Sequence, residues 1–149
     1  MPVTNVARFE RFFRGAAGLN VDKEDLRHFN EFVHRKVYDL LLRAQATAKA
    51  NGRDVIRACD LPVTKGLQES MHAFKALDQQ IELRPILERL AQLPQLDLGY
   101  EDETAARLPD VVGGLSLALA RSFKILHPQL KNPQTNHWQT VFRLCDLLL

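Results

Sequence analysis

Cysteine, tryptophan and tyrosine are scarce in this chain, neither sign of charge prevails, and no long apolar run occurs; each shortage removes a class of protein. The two cysteines, Cys59 and Cys145, have neither the spacing of a metal knuckle nor that of a C-x-x-C redox pair. Two reduced, packed thiols are expected in place of a disulfide scaffold. No stretch approaches the eighteen or so apolar residues that a membrane span needs. The amino-terminal MPVTNVARFERFF has neither a continuous apolar segment nor a small-residue cleavage site. No membrane partner is expected, and the cytoplasm is the expected location. Net charge is only +2, from 20 basic and 18 acidic residues, far below the footprint of a protein devoted to coating nucleic acid. The excess is uneven: residues 1–80 hold 13 Lys and Arg against 10 Asp and Glu, and residues 81–149 hold 7 against 8. A polyanion would prefer the first part of the chain.

Arrangements that carry catalysis are also missing. The five histidines are His28, His34, His72, His127 and His137. His28 and His34 stand six apart, on different sides of any helix, and no HxxxH or HExxH occurs. Ser70 with His72 and Cys59 with Asp60 are neighbours along the chain without nucleophile geometry. The acids Glu101-Asp102-Glu103 suit a helix start, where the dipole favours them without a cation. Gly113-Gly114 lies inside a helical pattern and forms no phosphate loop. No enzymatic activity, cofactor or metal is expected.

What is present is helical patterning. From Asp22 to Asn51, residues Leu26, Phe29, Val33, Val37, Leu40, Leu41, Ala44 and Ala48 recur in steps of three and four on one face. Asp22 is a sound N-cap, with Asp25 as the capping-box acid, and Gly52 is the stop. A helix of this length spans about 40 Å, as wide as a compact domain of this size, so shorter pieces must be strapped across it.

Before it, residues 4–16 predict a short helix capped by Thr4 or Asn5 and ended by Gly15, with Val6, Phe9, Phe12 and Phe13 inward. Its other side carries Arg8, Arg11 and Arg14, a solvated face or a row that contacts phosphates. Leu19-Asn20-Val21 reads as an extended link. Asp54-Val55-Ile56 reads as a very short extended segment, followed by a helix from Leu61 to about Gln80 with Asp60 as its cap and Pro62 in its first turn. Leu67, Met71, Phe74, Leu77 and Ile81 should face inward.

The plan then repeats. Pro85–Leu93 is a short helix closed by Pro94, Leu96-Asp97-Leu98 an extended link, and a second long helix runs from near Thr104 to just before Pro128. Its inward positions are Ala105, Leu108, Val112, Leu115, Leu119, Phe123 and Leu126. Pro109 must lie in its first turns or kink it. Gly113-Gly114 weakens this helix and marks a place where another helix comes close. After the loop HPQLKNPQTN, His137–Leu149 forms a last amphipathic helix anchored by a partly buried Trp138. The repeat is one of pattern, not of residues. Without a Gly/Ser-rich linker, the halves 1–80 and 81–149 should pack as one compact unit.

The stretch AKANGRDVIRACDL, Ala48 to Leu61, carries Gly52-Arg53, Ile56 and Asp60 in the spacing G-R-x-x-I-x-x-x-D. It resembles the end of the long helix, second loop and third-helix start of the histone fold of small archaeal histones. The whole chain resembles a group of small bacterial proteins with two histone folds in tandem. The resemblance implies an all-α fold in which two short-long-short helix units pack as an intramolecular pseudo-dimer. It implies that Arg53 and Asp60 form a structural clamp, and that a single chain is already paired and remains a monomer. It further implies that Asp54–Ile56 lies beside Leu96–Leu98, and Leu19–Val21 beside Lys131–His137.

Two functions follow from that resemblance. One is a protein-interaction or pairing module with a protein partner. The other is weak, sequence-independent binding of double-stranded DNA through Arg8, Arg11, Arg14, Arg53 and Arg57, which would hold phosphates without reading bases. Asp54 and Val55 stand where histones usually carry a basic residue and a threonine, and an anion at a phosphate contact reverses the local interaction.

Overall fold

The computed structural model describes residues 3–91 and 93–148. Six helices account for most of it: α1 (Val3–Ala17), α2 (Lys23–Ala50), α3 (Lys65–Ile81), α4 (Arg84–Leu90), α5 (Asp102–Leu126) and α6 (Thr135–Leu148). Two-residue strands β1 (Val55–Ile56) and β2 (Gly99–Tyr100) and a 3-10 turn at Ala58–Asp60 complete the order.

The long helix α2 starts as its sequence dictates. The Asp22 carboxylate accepts from the Asp25 amide and the Asp25 carboxylate accepts from the Asp22 amide, both at 2.9 Å. All eight of its expected inward residues are buried. Its end is Gly52, whose positive φ of 71° suits a residue without a β-carbon. The same device ends α1, but at Gly18 (φ 65°): the helix passes through Gly15 to Ala17, because an exposed helical glycine costs only about 1 kcal/mol and does not itself break a turn. Thr4 and Asn5 fall within α1, and their side chains lie outside the described part.

Other boundaries shift for local reasons. Asp60 does not cap α3; its carboxylate is drawn back to Arg53 and to the Arg57 amide. Pro62 consequently precedes the helix, and Thr64 becomes the cap, accepting from the Leu67 amide at 3.2 Å. The helix α4 ends at Leu90, short of the expected Leu93, and α5 begins two residues early at Asp102. Pro109 lies two turns inside α5 and is buried there.

Buried side chains from all six helices form one core. An aromatic run joins distant parts of the chain: Phe9 and Phe13 of α1 pack on Phe29 of α2 at 5.3 Å, and Trp138 of α6 contacts Phe123 of α5 at 4.7 Å and Phe13 at 6.1 Å. Trp138 is fully buried rather than partly so. The most enclosed element is α5, not α2. Every residue from Val111 to Leu117 is buried, since α1, α2, α3, α4 and α6 all pack against it. The glycine pair permits this enclosure. A β-carbon on Gly113 would meet the Phe74 ring at 2.4 Å, and one on Gly114 would meet Met71 Cγ at 2.4 Å.

Two backbone links are among the contacts that tie residues 3–81 to the later part of the chain. β1 and β2 pair in parallel, Val55 with Gly99 and Ile56 with Tyr100. The partner strand is therefore displaced from the expected Leu96–Leu98, where the Leu98 amide is instead taken by Gln45 Oε1 at 3.0 Å. The second link is the Asn20 amide donating to the Lys131 carbonyl at 2.7 Å, within the segments expected to meet. Cys59 and Cys145 are both unpaired; Cys145 is buried, but Cys59 is exposed rather than packed.

Candidate functional site

The residues expected to carry function gather around the β1–β2 ladder and on α1. Arg53 leaves the end of α2 just after the Gly52 turn, and its guanidinium is held by the Asp60 carboxylate. Asp60 is 4% exposed, and its second oxygen accepts the Arg57 amide at 2.9 Å. The pair fixes the turn between β1 and α3, which makes Arg53 a structural clamp with little charge left for a ligand. Arg57 extends toward the start of α5, and its Nε donates to Glu101 at 3.1 Å. The buried Thr104 hydroxyl donates to the Ile56 carbonyl at 2.7 Å, fastening α5 to the same strand.

The third cation at this end, Lys49, meets Asp97 at 3.0 Å. Each basic group here is thus neutralised by a carboxylate. Asp54, Asp102 and Glu103 are exposed, and none has a cation within ion-pair distance among the described residues. The ladder end consequently presents a net negative surface, which repels phosphate.

The α1 arginines divide. Arg8 donates to the Glu82 carbonyl at 3.2 Å, across the joint between α3 and α4. Arg11 and Arg14 are exposed and have no carboxylate partner among the described residues. Of the five candidate phosphate contacts, two remain free.

Three features escaped the sequence. Lys36 is 4% exposed on α2 and is paired with Asp146 of α6 at 2.7 Å; a lysine in an apolar stripe was the signal. Asp25 is buried and accepts from the Trp138 indole at 2.8 Å, a bond between residues that no periodicity relates. The third is an apolar groove of about 350 Å³ between α3, α5 and α6, lined by Leu67, Ala118, Ile125, Leu144 and Leu148 among others. Leu126, expected inward, is exposed beside it, because α5 leaves the core one turn before it ends. The burial-raised Cys145 thiol also lines this groove.

Among the described residues, no group of three or more His, Cys, Asp and Glu could hold a metal ion, and no helix is long and apolar enough to cross a membrane. His127 and His137 do approach, with ring centroids 4.8 Å apart, and His137 Nδ1 accepts from the Gln134 amide at 2.9 Å.

Fold and site together define a mostly helical protein whose two long helices share one core and whose two ends are cross-tied by backbone bonds. The chain belongs to the family described as Domain of unknown function (DUF1931), which it matches over residues 9–146. Two proteins of Aquifex aeolicus (strain VF5), each described as an uncharacterized protein, are similar to it. One is 26% identical over 78% of this chain and 68% of its own length, the other 28% identical over 88% and 83%. A crystal structure of a protein from Thermus thermophilus is 50% identical, with a TM-score of 0.84 over 97% of both chains. A crystal structure from Aquifex aeolicus at 23% identity has the same fold, with a TM-score of 0.84 over 97% of this chain and 95% of that one.

Proposed function

We propose that the chain is two histone folds paired within one polypeptide and that it acts as a protein-interaction module. Supporting the pairing are the exchanged contacts: the segment after α2 meets the link before α5, and the link before α2 meets the segment after α5. The Arg53–Asp60 clamp sits where the resemblance to histones places it. Residues 1–80 and 81–149 are then the two histone-fold halves, and the pairing is complete in one copy.

The observation that carries the interaction reading is the exposed aliphatic pair Ile125 and Leu148, which line one groove where the ends of α5 and α6 meet, with Leu126 and Leu147 also exposed beside them in the chain, on a protein whose internal pairing is already satisfied. Catalysis is not part of this reading, and the cytoplasm is its setting.

A second reading, weak duplex-DNA binding, rests on the free Arg11 and Arg14. One titration separates the two: labelled duplex of random sequence against the intact chain across a salt series. The interaction reading expects no shift at low salt. A retarded duplex whose affinity falls steeply with salt, with the slope reduced by about one in Arg11→Ala, would replace it with the DNA reading.

A further inference from the structure

The groove between α3, α5 and α6 has a shape and a charge that narrow its occupant. On α5 it is lined by Ala118, Arg121, Ser122 and Ile125, a stripe in steps of three and four that extends about two helical turns. Leu144 and Leu148 of α6 and Leu67 of α3 complete its aliphatic lining. Ile125 is 78% exposed and Leu148 is 68% exposed, so the apolar lining continues out onto the surface.

The cations around this groove are unanswered. Arg121 lines it, and Lys124 follows one turn along α5. Neither has a carboxylate within ion-pair distance among the described residues, and the acids nearby are engaged: Asp146 by Lys36 at 2.7 Å and Glu69 by Lys65 at 3.3 Å. A second copy of this chain would bring the same two cations against themselves under a twofold axis. A flat lipid surface would leave the concave part unfilled, and a nucleic acid offers nothing to bury against the leucines.

An aliphatic stripe with acidic neighbours satisfies both the groove and its rim. Resting on the protein-interaction reading, we infer that this groove docks an amphipathic helix of a partner protein, with aliphatic anchors at i, i+4 and i+7 and Asp or Glu along the flank that meets α5.

The test is fluorescence anisotropy of the intact chain with a labelled synthetic helix of about sixteen residues carrying Leu anchors and Glu flanks, and with the same peptide carrying Lys flanks. The Glu peptide should bind about tenfold or more tightly than the Lys peptide. Ile125→Lys should abolish binding of the Glu peptide, and the double variant Arg121→Glu, Lys124→Glu should reverse the preference; all three positions are exposed, and circular dichroism checks the fold of each variant. Equal binding of the two peptides, binding of neither, or binding that survives both variants overturns the inference. So does co-sedimentation with phosphatidylglycerol vesicles that Ile125→Lys abolishes, which assigns the patch to a membrane, or a dimer lost in that variant, which assigns it to a second copy. Failure here with no duplex shift removes this occupant and leaves the interaction reading standing; a salt-sensitive duplex shift removes that reading itself.

Discussion

Asp22 and Asp25 stand three residues apart and titrate in opposite directions. Hydrogen bonding, chiefly from the Asp25 backbone amide, lowers the Asp22 carboxyl below its ordinary value. Burial raises the Asp25 carboxyl above its ordinary 3.8, against the pull of the bonds it accepts from the Asp22 amide and the Trp138 indole. A raised carboxyl means that the folded protein holds its proton more tightly than the unfolded chain. The stability that Asp25 contributes is therefore fully present below the ordinary value and is lost as pH climbs through the raised one. Asp22 behaves inversely, its contribution present above the ordinary value and lost as pH falls. In Asp25→Asn one of the two accepting oxygens becomes an Nδ2 donor set against the Asp22 amide or the Trp138 indole, so the variant should be less stable by about 1 kcal/mol, the worth of a helix cap. The wild-type advantage should be largest in acid and should narrow as pH rises from the ordinary 3.8 through the raised value, by about 1.4 kcal/mol for each unit by which the carboxyl is raised. Urea denaturation of both proteins across that range measures it, and an advantage that grew with pH would contradict the burial of Asp25.

At the scale of elements, Gly113 and Gly114 decide how close α3 can come to α5. Alanine in place of a helical glycine gains about 1 kcal/mol of helix propensity, whereas overpacking a core costs about 1–3 kcal/mol. For Gly114 the second effect wins, because the added β-carbon would stand 3.0 Å from the Met71 backbone nitrogen as well as 2.4 Å from Met71 Cγ, and backbone cannot swing aside. Gly114→Ala should therefore destabilise by about 1–2 kcal/mol, while Gly66→Ala, with nothing within 4 Å, should be neutral or slightly stabilising. Chemical denaturation of the two variants is the check; equal gains would mean that the helices are not in contact there. Glycines inside a helical pattern were thus legible as a close approach, and the aliphatic stripes of α2 and α3 were legible from periodicity. The capping box of α2 was written in Asp22 and Asp25. The start of α3 was not, because Asp60 had two competing uses and the ion pair to Arg53 outweighed the helix cap. Nor was the groove, since Leu126 and Leu148 continue patterns that are buried one turn earlier at Phe123 and Cys145; where a helix leaves the core depends on its neighbours' lengths, which periodicity does not encode. Arg53 and Asp60 could be read as a clamp, but not the neutralisation of Arg57 by Glu101, which requires knowing that the two loops meet.

For the whole molecule, the proposed pairing of two halves makes the covalent connection between α3 and α4 a replacement for an association step. The core mixes Phe13, Phe29 and Phe74 with Val112, Phe123 and Trp138, so neither part of the chain can bury its apolar face alone. Cut after Glu82, between Ile81 at the end of α3 and Arg84 at the start of α4, the fragments 1–82 and 83–149 should each show weak helical signal and exposed apolar surface. Mixing them should restore the helical signal. A short connection supplies an effective concentration near millimolar. The mixed fragments at about 10 µM should therefore be less stable than the intact chain by about 2.7 kcal/mol, the free energy of a hundredfold difference in concentration. Their thermal midpoint should rise with concentration, whereas that of the intact chain should stay fixed over the same dilution series. A fragment that melted cooperatively alone would show that its half has a core of its own. A midpoint of the intact chain that climbed with concentration would show copies associating, and the aliphatic patch at the ends of α5 and α6 would then belong to that contact instead of to a partner helix.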